Sequence, residues 1–106
     1  MYSDVLRIDI SNLDEVTIVT VVGDIDMESA ATLRVALNEL EPDKDAYVDM
    51  ANVRFIDSSG IKVLVGQTQR MIPNRARLQI QNPSRVVRRI LTVAGLADYF
   101  LEPDVA

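Results

Sequence analysis

The stretch that most constrains the fold of this chain is Phe55-Ile56-Asp57-Ser58-Ser59-Gly60-Ile61. An alternating, strand-like run, Ala46-Tyr47-Val48-Asp49-Met50, leads through a short connection into it. Ile61, Leu64, Val65, Thr68 and Ile72 leave it at helical spacing. The chain must therefore turn from strand to helix within Asp57-Ser58-Ser59-Gly60. At a helix start several backbone N–H groups lack an intrahelical acceptor and the helix dipole presents its positive end, so negative charge is favoured there. Ser58 thus carries a hydroxyl at an anion-favouring point. Capping alone also accounts for this composition, because Asp and Ser lead the residues selected at N-caps.

Upstream, Val5-Leu6-Arg7-Ile8-Asp9-Ile10 sets Leu6, Ile8 and Ile10 against Arg7 and Asp9, the pattern of a half-buried edge strand. Asn12 to Glu15 turn the chain, and Val16 to Val22 has the branched side chains of a central strand. So short a connection predicts an antiparallel pair. After Gly23-Asp24-Ile25-Asp26, a helix is expected from Met27 to Leu40, with Ala30, Leu33, Ala36, Leu37 and Leu40 as its apolar stripe. Asp26 suits its N-cap and Glu28 its first turn.

Pro42 to Asp45 read as a loop, Tyr47 to Met50 as the third strand, and Ser58 to Ile72 as a central helix stopped by Pro73. Arg77 to Gln81 is expected to be a fourth strand, buried at Leu78 and Ile80 only. Asn82-Pro83-Ser84 opens a third helix whose inner face is Val87, Ile90, Leu91 and Ala94, and Gly95 closes it. Ala97 to Leu101 is expected to add a short edge strand, after which the last residues fray.

This order predicts a single α/β domain over residues 1–106, with a mixed, mostly parallel sheet of four to five strands and right-handed βα winding. Parallel strands covered on both faces read as continuous apolar runs, whereas three of these strands carry a polar side chain at every second position. Helices are therefore expected mainly on one face. Loops at the carboxyl ends of parallel strands share one edge, which would gather Asp24, Asp26, Asp57, Ser58 and Ser84.

With 106 residues the chain can bury a core without covalent staples. It has no Cys and no His, which removes disulfides, thiolate chemistry, the usual base of a serine triad and the commonest transition-metal ligand. No Gly-rich phosphate loop of either common type is present. The reading is accordingly no enzyme, no cofactor and no metal. No run approaches the roughly 18 apolar residues of a membrane span and the start lacks a signal-peptide pattern, so no membrane association and a cytoplasmic location are expected. The net charge of −5 argues against direct nucleic-acid binding. Residues 1–60 hold 13 acids and 4 bases, and residues 61–106 hold 7 bases and 3 acids, which predicts an acidic and a basic region on one surface. Arg85, Arg88 and Arg89 form the densest basic cluster, expected to be a solvated helix face.

Taken together, Phe-x-Asp-Ser-Ser-Gly-Ile after a strand, the earlier Gly23-Asp24-Ile25-Asp26 and the later Asn82 to Leu96 segment resemble the STAS domain, and more narrowly the anti-sigma-factor antagonists of bacteria. The resemblance implies that Ser58 is a phosphoacceptor, that Asp57, Ser59 and Gly60 complete its motif, and that Asp26 lies near it. It also implies the partners: an anti-sigma factor that is itself a serine/threonine kinase, bound by the unphosphorylated domain so that a sigma factor is freed, and a PP2C-like phosphatase that restores the active form. Asp24, Asp26, Asp57, Ser59, Gly60, Lys62 and Ser84 would then surround the phosphorylation site and meet the partner. The chain departs from the family pattern at Ile61 for Leu, at Lys62 for a small residue, and at Pro73-Asn74-Arg75 for a Gly-Gly turn. A monomer or weak homodimer is expected.

Two other readings exist. STAS domains also serve as structural or accessory modules of stress-signalling and of lipid or anion transport assemblies, where the helix-start serine only caps. A phospho-receiver would use Asp24, Asp26 and Asp57 for magnesium but needs a lysine late in the chain, and Ala97 to Ala106 has none.

Overall fold

The computed structural model describes residues 6–101. Strands β1 (Arg7–Asn12), β2 (Val16–Ile25), β3 (Asp45–Ile56) and β4 (Leu78–Gln81) lie side by side in that order. β1 runs antiparallel to β2, and β2, β3 and β4 are mutually parallel. Helices α1 (Ala30–Asn38), α2 (Ser58–Met71), α3 (Arg85–Val93) and the single turn α4 (Ala97–Phe100) connect and follow the strands.

Register explains the layering. Val19, Val48 and Ile80 stand opposite one another across β2, β3 and β4 and are fully or almost fully buried, while the next row, Thr20, Asp49 and Gln81, is partly exposed. Alternation thus turns one face of the sheet toward the helices and leaves the other partly wet. From the helix side Leu33, Leu37, Leu64, Met71, Val87, Leu91 and Phe100 close the core. Burying each such side chain contributes about 1.5 to 3 kcal/mol relative to exposure.

Several expectations change. The expected connection after Met50 is strand: β3 continues to Ile56. Its pairing with β2 shifts register twice, between Thr20 and Val22 and between Gly23 and Asp24, so β3 carries extra residues and its buried positions fall at Met50, Val53 and Ile56. Such bulges break the two-residue period from which strands are read. Regular α1 begins at Ala30 and not at Met27, although the Ala30 N–H already donates to the Asp26 carbonyl, so the first turn forms over the expected residues. Gln79 is buried beside Leu78 and Ile80, against the expectation for β4. Ala94 is exposed at the end of α3, and Ile10 is over one-third exposed because β1 runs past the core as an edge.

The expected last strand is a helical turn instead. Gly95 leaves α3 at φ 75°, and the Leu96 carbonyl then accepts from the Tyr99 and Phe100 N–H groups, which drives Phe100 into the core. Where a Gly-Gly turn was the family expectation, Ile72–Asn74 form a 3-10 turn and Arg75 itself takes the left-handed conformation at φ 60°. Val5, where the first strand was expected to start, and the expected fraying of the terminus fall outside the described residues.

Candidate functional site

The chain enters α2 through Asp57, whose backbone is extended and whose carboxylate accepts from the Ser59 N–H at 2.8 Å. Ser58 is therefore the first residue of a 14-residue helix, and it is exposed. Its hydroxyl stands in water beside backbone donors that favour negative charge.

Two contacts lock this turn to the sheet. The Asp57 N–H donates to the Ile25 carbonyl at 3.1 Å, which extends the parallel register of Asp24 with Phe55 and Ile25 with Ile56 by one step. Asp26, next after Ile25, is thereby brought beside Asp57. Gly60 then packs where no side chain fits: a Cβ there would sit 2.5 Å from Ile25 Cγ2 and 2.9 Å from Ile56 Cγ1.

Asp26 and Ser29 close the turn that leads into α1 reciprocally. The Asp26 carboxylate accepts from the Glu28 and Ser29 N–H groups at 3.0 and 2.9 Å, and Ser29 Oγ accepts from the Asp26 N–H at 2.9 Å. The Ser29 backbone hydrogen bond, followed by that of its hydroxyl, holds the Asp26 carboxyl below the ordinary carboxylate range, against a smaller opposing effect of desolvation. Asp24 faces Arg54, with the guanidinium Nε 3.3 Å from its carboxylate.

Ser59 and Lys62 open onto a cleft of about 510 Å³ between α1 and α2, shared with Met27, Ala30, Arg34 and Gly66. Ser84 lies in a different cleft, with Arg7, Gly23, Arg54 and Arg85. Its hydroxyl donates to the Val53 carbonyl at 2.6 Å and accepts from the Val87 N–H at 3.2 Å, so it caps α3 and ties it to the bulged part of β3. The structure thus brings Asp26, Asp57, Ser58, Ser59, Gly60 and Lys62 to one corner, sets Asp24 in an ion pair, and gives Ser84 a capping task elsewhere.

The sequence names neither Met27 nor Phe55 as a site residue, although Phe55 opens the motif. Met27 directly follows Asp26 and Phe55 lies two residues before Asp57, and their side chains are 80% and 46% exposed. Among the described residues no three carboxylates cluster as a metal site requires, and no helix is long and apolar enough to cross a membrane.

A mixed sheet clad on one face, with an exposed serine opening the helix after its long parallel strand, defines a small α/β module that offers a surface. The STAS domain family model matches residues 7–106, and the chain belongs to that family. It is 30% identical over 95 residues to the anti-sigma-B factor antagonist of Staphylococcus aureus (strain NCTC 8325 / PS 47), covering 88% of each chain. To the anti-sigma-B factor antagonist of Bacillus subtilis (strain 168) it is 29% identical over 94 residues, covering 88% of this chain and 86% of the relative. Its fold matches that of the anti-sigma factor antagonist SpoIIAA in its unphosphorylated form, with a TM-score of 0.78 at 17% identity over 93% of this chain and 89% of the other. An anti-sigma factor antagonist from Mycobacterium paratuberculosis matches with a TM-score of 0.79 at 24% identity, over 95% of this chain and 88% of the other.

Proposed function

We propose that this chain is an anti-sigma-factor antagonist switched by phosphorylation of Ser58. Unphosphorylated, it binds an anti-sigma factor that is also a serine kinase, and the sigma factor is released; a PP2C-like phosphatase reverses the modification. It works in the cytoplasm and supplies no catalytic group. The relatives named as anti-sigma-B factor antagonists support the general role. The observation that carries the switch is the exposure of Ser58 at the first position of α2, held there by the Asp57 cap and the close seat of Gly60.

The physics favours a switch in affinity with an unchanged fold. A phosphate adds about −1.5 to −2 charge, which the helix N-terminus and water accommodate in the free domain. A partner burying this corner must strip water from that charge beside Asp57. A penalty of about 3 to 4 kcal/mol weakens binding by roughly two to three decades. Exposed Met27 and Phe55 supply apolar surface for the docked state.

With the cognate kinase and ATP, mass spectrometry is expected to find one phosphate on the native chain and none on Ser58→Ala. Ser58→Asp is expected to raise the dissociation constant for the anti-sigma factor about tenfold or more. Phosphate mapped to Ser59, or an unchanged constant for Ser58→Asp, refutes the reading.

A further inference from the structure

We infer that Lys62 is the intramolecular counter-ion of phosphate on Ser58, an assignment that rests on the Ser58 reading above. Lys62 follows Ser58 by four residues in α2, which places the two side chains on one helix face with Cβ atoms about 5 to 6 Å apart. Long helical side chains lean back toward the N-terminus, so the lysine at 62 covers the turn that holds Ser58. Both residues are exposed, leaving the ammonium free to reach across.

Within α2 itself no fixed anion answers this cation. The remaining near neighbours of Lys62 along the helix, Ser59, Val65 and Gly66, are uncharged, and α2 contains no acidic residue. Among the described residues Lys62 enters no ion pair or hydrogen bond. A positive charge in the second turn of a helix opposes the dipole. A dianion at position 58 turns that cost into an attraction, aligned along the axis with the negative group N-terminal to the positive one, the better order for such a pair. The pair holds the phosphate against α2 and adds a contact that a docking partner has to break.

The test uses the full chain with phosphoserine incorporated directly at position 58, so that no kinase is needed. In a phosphorus NMR titration the second phosphate pKa, ordinarily about 6, is expected to lie roughly 0.15 to 0.4 lower in the native chain than in Lys62→Gln. Lys62→Arg is expected to restore the lower value, and high salt to remove most of the difference. Equal values in the native chain and Lys62→Gln overturn the assignment. That result would leave kinase action on Ser58 untouched, and a kinase that ignores Ser58 would leave the measured pair standing, so the two ideas fail separately.

Discussion

Ser58 and Gly60 stand two residues apart in α2 and meet opposite surroundings. One faces solvent and the other is buried against Ile25 and Ile56. The absence of a side chain at 60 lets the first turn of α2 sit directly on the ends of β2 and β3, and that contact sets where Ser58 emerges. Gly60→Ala inserts a methyl group at 2.5 Å from a core side chain, so urea unfolding is expected to show a loss of about 1 to 3 kcal/mol. A loss under 0.5 kcal/mol would mean that the turn shifts freely. The helix start within Asp57-Ser58-Ser59-Gly60 was legible because capping composition is a local matter, and the structure gives the cap itself to Asp57. The identity of what presses on Gly60 was not, since Ile25 lies 35 positions upstream and meets it only through the parallel pairing of β2 and β3.

Strand β3 shows how an element can hide from its own pattern. Its first half alternates, and its second half buries every third residue because two bulges add residues relative to β2. β4 pairs only as far as Asp49; beyond it the Ser84 N–H donates to the Met50 carbonyl and the Ser84 hydroxyl to the Val53 carbonyl. One serine thus caps α3 and anchors it to the bulged strand. Ser84→Ala removes both roles, and thermal or urea unfolding is expected to report a loss of about 1 to 2 kcal/mol, with Ser84→Thr recovering part of it. No change would show that water replaces the hydroxyl at no cost. The third helix and its start were readable from Asn82-Pro83-Ser84 and Gly95. The role of Arg70 is invisible in the sequence: its guanidinium donates to the Leu37 and Leu40 carbonyls at the end of α1, both at 3.0 Å, a cap delivered from another helix. No spacing within α1 announces a donor more than thirty residues away.

For the molecule as a unit, acid is the informative stress. Hydrogen bonds from Ser29 and Glu28 to its ionised form depress the folded-state pKa of Asp26. A carboxyl with a depressed folded pKa contributes stability that is fully present above its unfolded value, near 3.9, and is lost as pH falls through the folded value. Unfolding followed from pH 7 down to about 2 is therefore expected to lose stability on the acid side, and Asp26→Asn to flatten that decline. Identical acid limbs for the two proteins would contradict the assignment. Sequence alone established the strand and helix order as far as α3, the single wet sheet face, the helix start within Asp57-Ser58-Ser59-Gly60 and the family likeness, because each rests on short-range periodicity or on a contiguous motif. The length of β3, the helical turn that replaces a last strand, the separation of Ser84 from the Ser58 corner and the outward turn of Met27 and Phe55 emerged only on folding. Each of these depends on register and on contacts between segments far apart in the chain, and local spacing carries no record of them.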